Sequence, residues 1–327
     1  MLKYILRRLV YVVGVFFVIS IIMFSIFKAI PGDPALTILE GNRAGMDPKV
    51  YQMMYEQARE KLGLDDPIHI QYFKWIGRMI TGNMGYSAFY RTDVTKVIKS
   101  PLMNTAMLNM ANLVLCFTIA ISLGILAALK RGTAIDGFVQ LITVIGNSLP
   151  SFIMAILLVL TFSVKFNLLP ISGMGTPDLK GTSMELAFDK IRYMTLPLAT
   201  LTLSSLGGLT RYVRAGMIEA LSMDCIRTAR AKGLVEKSVI FSHAFRNALI
   251  PIITVTATWF INIFGGSVAI ERMFVWNGMG KIMIDALSNQ DYAVALAIQM
   301  FFAIMALVGN LVVDIVFGLA DPRIKFE

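Results

Sequence analysis

Apolar residues in this chain do not alternate with polar ones over short distances. They run in long, nearly uncharged blocks separated by charged stretches. A helix rises about 1.5 Å per residue, so about 20 apolar residues cross a hydrocarbon layer. Six blocks meet that length: Leu9–Phe27, Met103–Leu129, Gly137–Val164, Tyr193–Thr210, Leu249–Ile270 and Ala293–Leu319. Each is predicted helical, because lipid cannot satisfy exposed backbone groups and the pattern is not that of a closed barrel. The fourth is short and contains Pro197. In the third, Asn147, Ser148 and Pro150 interrupt the apolar run, and Pro150 predicts a kink that frees backbone carbonyls. The kink is either satisfied by neighbouring helices or lines a pathway. Ser204, Gly207, Gly208, Gly265 and Gly266 read first as close helix packing.

Composition sharpens this picture. Hydrophobic residues make up 56% of the chain and charged residues 16%, against about 25% charged in a soluble domain. The net charge of +9 is assigned to Lys and Arg retained on one side of a membrane, not to nucleic acid. With the N-terminus inside, the inner segments hold Lys3, Arg7, Arg8, Lys130, Arg131, Arg211, Arg214, Arg227, Arg230, Lys232, Lys237, Arg246, Arg323 and Lys325. The short outer loops hold only Lys165, Lys180, Lys190, Arg192, Arg272 and Lys281. That bias places both termini in the cytoplasm. The first block is longer than a signal-peptide core and is read as a retained helix. The loop Pro31–Ser100 carries Tyr55, Tyr72, Trp75 and Tyr86 among mixed charges and is predicted to be a small folded cap outside.

Several chemistries find no support. Cys116 and Cys225 lie in segments that cannot meet, so no disulfide is expected. No His, Cys or Glu cluster has metal-ligand spacing. No phosphate-binding loop occurs, and Gly278-Met279-Gly280-Lys281 lacks the earlier glycine of one. Neither H-E-x-x-H nor G-x-S-x-G is present. Among the six blocks only Asp314 is ionisable, near the inner end of the last, where it reads as an interfacial carboxylate. Uphill transport would therefore draw its energy from another chain.

The inner stretch from Arg211 to Asn247 is the most informative. Residues Ile218 to Lys232 predict an amphipathic helix with Ile218, Leu221, Cys225 and Ala229 on one face. Gly233 ends it. A second stretch places Phe241, Phe245 and Leu249 on one face, before Asn247 and Pro251 mark re-entry. Taken alone, this helix–Gly–helix is either an interfacial element or a docking surface for a cytosolic partner.

The runs DCIRTARAKG (Asp224–Gly233) and HAFRNALIP (His243–Pro251) resemble the cytoplasmic signature of ABC importer permeases of the oligopeptide, dipeptide and nickel uptake branch. The general signature begins Glu-Ala-Ala. Here Arg227, Thr228 and Ala229 stand in those places, and the stretch from Gly233 to Pro251 is longer, as in the peptide branch. Pro31–Pro34, Leu62–Pro67, Gln71-Tyr72, Trp75, Ser148–Phe152, Glu271, Gly278–Gly280, Asp291-Tyr292 and Asp321–Arg323 also fit, so the resemblance covers almost the whole chain. Asn83 stands where Asp is more usual. The long outer loop is similar to that of the first of two permease subunits.

The resemblance implies an all-α integral membrane protein of the cell (inner) membrane, with about six transmembrane helices and the type I ABC importer permease fold. Its implied parts are an N-terminal helix (1–30), an outer cap (31–100), a transmembrane core (101–320) with a coupling segment at 211–247, and a short tail (321–327). It implies a second homologous permease, two cytosolic ABC ATPases that bind ATP and Mg, and an extracytoplasmic solute-binding protein, with no cofactor on this chain. Asp224, Arg227, Thr228, Ala229, Arg230, Gly233, His243, Arg246 and Asn247 are the expected ATPase-coupling residues. Asn147, Ser148, Pro150, Gly265, Gly266 and Glu271 are candidates for the pathway. Peptide is the favoured solute, with nickel or another small solute as the alternative. The rival classes are a stand-alone channel or secondary transporter, a membrane enzyme, and a non-transporting scaffold.

Overall fold

The computed structural model describes residues 2–30, 33–39, 47–249, 252, 259 and 262–320. They fall into two compact units. One comprises the described residues of 1–103 and 278–327, the other those of 104–277.

In the first unit α1 (Leu2–Ala29) runs antiparallel to the last helix, α13 (Tyr292–Ala320). Arg8 near the start of α1 pairs with Asp314 near the end of α13 at 2.8 Å. At the opposite ends, Phe24 shares a buried cluster with Leu296 and Met300. The lone ionisable residue of the last apolar block is thus half of an ion pair. Helix α4 (Ile68–Ile80) lays Tyr72, Ile76 and Met79 into the same cluster, and the Tyr72 hydroxyl meets Ser20 Oγ at 2.8 Å.

The expected cap is folded over its described part. Helix α2 (Pro34–Leu39) is followed by α3 (Pro48–Leu62). Asp47 caps α3 by accepting the Lys49 amide, Pro48 stands in its first turn, and Gly63 closes it at φ 66°. Arg59 reaches Asp33 at 2.9 Å and Asp65 at 2.6 Å. Burial pushes the Asp33 carboxyl up. Donation from the Tyr55 hydroxyl, the Ala35 amide and Arg59 outweighs burial and leaves the carboxyl below its usual range. A two-residue hairpin, β1 (Tyr86–Ser87) and β2 (Thr92–Asp93), pairs Tyr86 with Asp93. It is a small departure from an all-helical reading. The Asn83 side chain accepts the Gly85 amide at the mouth of this hairpin. The Ser87 hydroxyl donates to buried Asp291, which also accepts the Phe89 amide, so the hairpin is clasped to the start of α13. The first turns of α5 (Val94–Leu129) and of α12 (Met279–Ser288) complete this unit around Val94, Ile98, Met279 and Ile282.

The second unit is built on α8 (Ser183–Ser222), 40 residues opened by a capping box between Thr182 and Glu185. Helix α6 (Ala134–Ser148) runs antiparallel along it. Three contacts fix their register. Arg214 pairs with Asp136, a methyl on Gly207 would strike the Thr143 carbonyl, and one on Gly146 would strike the Leu203 carbonyl. At each contact the two residue numbers add to nearly the same value, as antiparallel helices in constant register require. Helix α5 lies parallel to α8, with Gly124 against Val213 and Asn112 accepting from Thr202 at 3.0 Å.

Beyond α6 the chain turns by 109° at Leu149–Pro150 into α7 (Ser151–Leu158), which continues as a π-helical stretch over Val159–Lys165. Proline has no amide hydrogen to continue α6, and its ring clashes with the carbonyl four residues back. The expected kink is therefore a corner. Helix α11 (Val268–Met273) packs Ile270 and Phe274 against Ala155 of α7 and Leu196 of α8. It ends with Val275 at φ 51°, between wholly buried Phe274 and Trp276. The backbone bonds Trp276 N–Glu271 O and Val275 N–Arg272 O form the usual αL helix stop, with valine where glycine is favoured.

Three described helices are long and apolar enough to cross a membrane: Leu6–Ala29, Val94–Leu129 and Tyr292–Asp314. The bent pair Ala134–Ser148 with Ser151–Lys165 makes a fourth if it is one span. Tyr193–Thr210 lies within α8, whose middle is diluted by Thr200, Thr202, Ser204, Ser205, Gly207 and Gly208. Of Leu249–Ile270, residues 250, 251, 253–258, 260 and 261 lie outside the described ones. The division between the two units falls within α5, and the described residues of 278–327 group with the N-terminal unit.

Gly207→Ala is expected to destabilise the α6–α8 contact by about 1–3 kcal/mol, read as a lower unfolding midpoint in detergent. Gly208 meets nothing within 4 Å, so Gly208→Ala serves as the control and should leave the midpoint unchanged or slightly raised.

Candidate coupling site

The site grows from the end of α8. The chain leaves that helix at Met223, whose ψ of 148° is extended, and restarts as α9 (Asp224–Ala231). The helix expected over Ile218–Lys232 is therefore two helices meeting at a corner. Its apolar face differs accordingly. Met217 and Ala220 of α8 and Ile226 and Ala229 of α9 are buried together, whereas Cys225 is exposed. The break at Met223 rotates α9 relative to the pattern that a single helix would continue.

Helix α9 stops at a Gly-dependent turn. Gly233 has φ 75°, its amide donates to Arg230 O at 2.9 Å, and the Leu234 amide donates to Ala229 O at 3.3 Å. This paired closure requires a left-handed residue just past the helix end, as the sequence predicts. Arg230 then reaches across the turn to Glu236, at 2.6 and 3.2 Å. The Arg230 guanidinium holds the Glu236 carboxyl below its ordinary value.

The chain returns through Glu236–Ser238 (α10) into a π-helical turn over Val239–Phe245. A π turn adds a residue per turn, which shifts the buried face. Val239, Ala244, Ala248 and Ile252 point into the core. Of the stripe expected at Phe241, Phe245 and Leu249, only the last two are partly covered, and Phe241 is half-exposed. Asn247 donates to His243 O at 2.9 Å and lies 3.9 Å from Cys225 Sγ, so the return strand packs on α9.

The nine expected coupling residues thus sort by geometry. Asp224, Arg227 and Thr228 stand on the open side of α9, with Asp224 and Arg227 side chains 94% and 79% exposed. Arg230 braces the turn, Gly233 makes it, and Ala229 anchors it. His243 and Asn247 belong to the return strand, and Arg246 is exposed beside them. Periodicity alone missed the exposed apolar residues Leu234, Val235 and Phe241 around this corner, with Val235 74% exposed. The available signal was an apolar pair directly after a helix-stopping glycine in a charged segment.

The candidates for the pathway do not form one group. Asn147, Ser148 and Pro150 are exposed at the corner after α6. The Gly265 carbonyl is held by Asn109 Nδ2 at 2.9 Å, next to Gly266. Glu271 is buried and accepts from Thr105 Oγ1 at 2.8 Å. This last contact belongs to a polar row on α5. Asn104 donates to Asn277 O and accepts from Trp276 Nε1, and Asn109 also donates to Ile263 O. A separate groove of about 580 Å³, lined by Met107, Met110, Val114 and Leu198, contains none of the candidates. Among the described residues no group of three His, Cys, Asp or Glu converges as a metal site would.

Helices long and apolar enough to cross a membrane make this an integral membrane protein. Comparison with known proteins names the family. Residues 120–326 match the binding-protein-dependent transport system inner membrane component, and residues 1–108 match the N-terminal part of such membrane components. The chain belongs to this family of ABC importer permeases. It is 38% identical, over the full length of both chains, to the oligopeptide transport system permease protein AppB of Bacillus subtilis. It is 35% identical to the di/tripeptide transport system permease protein DppB of Pseudomonas aeruginosa and 32% to the glutathione transport system permease protein GsiC of Escherichia coli K12, again over the full length of both chains. Among solved structures, a chain of the MetNI methionine ABC transporter in an inward-facing conformation shares the fold. Its TM-score is 0.54 at 16% identity, covering 69% of this chain and 97% of that one.

Since a depressed carboxyl favours the folded turn only while ionised, the Arg230–Glu236 brace should hold at neutral pH. It should be lost as pH falls through the lowered Glu236 value. A carbon-13-labelled Glu236 carboxyl is expected to titrate below 4.5 and to return to that value in Arg230→Gln. An unshifted midpoint in the unsubstituted protein would remove the brace from the turn.

Proposed function

We propose that this chain is one permease subunit of an ATP-driven importer for peptides, and that the α9–Gly233 corner is where cytosolic ATPases dock. The carrying observation is the corner itself. A 40-residue helix, about 60 Å long, connects the packed middle of the second unit to an eight-residue helix with an open charged face, followed by exposed Leu234, Val235 and Phe241. The chain lacks a phosphate-binding loop of its own. An exposed element that is built and braced, in a chain without a fuel site, fits a joint with a partner that burns fuel.

In this reading both termini and the stretch from 211 to 247 face the cytoplasm, and residues 31–100 face outside. Residues 1–30 form the first membrane helix, 101–320 the translocation core, and 321–327 the inner tail. Asp224, Arg227 and Thr228 contact the ATPase, while Ala229, Arg230, Gly233, His243, Arg246 and Asn247 shape the surface. A second related permease supplies the other half of the pathway. Two ABC ATPases hydrolyse ATP with Mg, and an extracytoplasmic binding protein delivers solute. Asn147, Ser148, Pro150, Gly265, Gly266 and Glu271 shape or border the pathway. The solutes named for the three full-length relatives are oligopeptides, di- and tripeptides, and glutathione. All are peptides, which favours peptide over nickel chelates.

Affinity purification of the full chain from gently solubilised native membranes should recover a second permease and two P-loop ATPases. Recovery of the chain alone, transporting in liposomes without ATP, would overturn the importer reading in favour of a channel or secondary transporter. Gly233→Val strains a left-handed residue and should abolish uptake while the chain still inserts. Uptake at the unsubstituted rate would remove the corner from coupling. Deleting Asp47–Asp65, which carries α3 and its Arg59 brace, should abolish stimulation of ATP hydrolysis by loaded binding protein. Undiminished stimulation would show that this part of the cap is not the docking face.

A further inference from the structure

We propose that Asp136 is a positioning residue for transport, the point at which movement of the coupling corner is passed from α8 to α6. The proposal rests on the coupling reading above; Asp136 lies outside the coupling segment, and its partner Arg214 lies near that segment's start. Asp136 lies in the first turn of α6 and is 2% exposed. Its carboxylate receives four hydrogen bonds. Arg214 of α8 donates Nε and Nη2 at 2.7 and 2.8 Å, in a two-pronged fork. The Gly132 amide, in the turn that ends α5, donates at 3.0 Å, and Gln140 Nε2 donates at 3.0 Å. One carboxylate therefore ties together the turn after α5, the first turn of α6 and the body of α8.

Arg214 stands ten residues before Asp224, on the continuous stretch of α8 that leads to the corner, about 15 Å along the axis. On the other side, α6 runs from Asp136 to the 109° turn at Leu149–Pro150. Between these points the two backbones come closest at Gly146 and Gly207, where no methyl fits. Such contacts allow close approach and fix the register sterically. The forked ion pair adds a charged lock to it. If α8 shifted by one residue without α6, the fork would open and leave a buried carboxylate without its cation, a state strongly disfavoured in a dry environment. Helices α6 and α8 therefore move as one lever, and the displacement reaches the Pro150 corner, where Asn147 and Ser148 lie. A thermodynamic coupling of this kind needs an element that both sites bias, and the α6–α8 pair is that element.

The test uses the whole complex in liposomes, with its binding protein and a mixture of di- to hexapeptides as the probe. Peptide uptake and ATP hydrolysis are measured together. Asp136→Asn leaves Arg214 without its counter-charge and lowers stability, so the double variant Asp136→Asn with Arg214→Gln is the main subject. It removes both charges and keeps amides that hydrogen-bond. Basal ATP hydrolysis is expected to persist, while peptide taken up per ATP falls about tenfold, a change of about 1.4 kcal/mol in coupling. If uptake and hydrolysis fall in proportion, or neither changes, Asp136 is a structural brace only and the proposal is overturned. If the unsubstituted chain recovers no ATPase, the coupling reading has failed and takes this inference with it. Recovered ATPases with an unaltered ratio would sink this inference alone.

Discussion

The close approach of α6 to α8 is the contact on which the second unit depends. Two backbones in lipid gain nothing from the hydrophobic effect, so they hold together by packing and by satisfied polar groups. At Gly146 and Gly207 there is no room for even one methyl. That approach places Asp136 within reach of Arg214. It also lets α7, leaving the Pro150 corner, lay Ala155 against Leu196. Larger residues at the two glycines would separate the helices and open the ion pair at the same time.

A second constraint acts on the non-helical chain on either side of α11. Non-helical backbone is tolerated at membrane depth only where its polar groups are met by protein. The row of Asn104, Thr105 and Asn109 on α5 does this, offering amide donors to the carbonyls of Ile263, Gly265 and Asn277 and a hydroxyl to Glu271. Removing one of these side chains would take a donor from a backbone carbonyl or, at Thr105, from the buried Glu271 carboxylate.

Much of this was legible in the sequence, because lipid imposes a strong pattern. The long helices follow from block length, the break at Pro150 from its missing amide hydrogen, and the turn at Gly233 from its place after a charged amphipathic run. Local chemistry was less visible where tertiary packing overrode periodicity. Met223 has no sequence mark of a break, yet it ends α8 and turns Cys225 outward. The π turn at Val239–Phe245 moved the buried face from Phe241 to Ala244, which a 3.6-residue period cannot anticipate. Val275 stands where a glycine is expected, because buried neighbours on both sides hold it there. The partnership of Asp136 with Arg214 spans 78 residues and required the fold to find it.

The exposed apolar side chains at the corner bear on how the subunit is made as well as on how it works. Leu234, Val235 and Phe241 stand open at the return from α9. Until a partner covers them, the newly inserted chain offers water a hydrophobic handle of the type that chaperones and membrane proteases recognise. If the corner is the docking surface proposed above, it therefore also marks the orphan. Excess copies would be cleared, and subunit numbers would be matched by turnover as well as by synthesis.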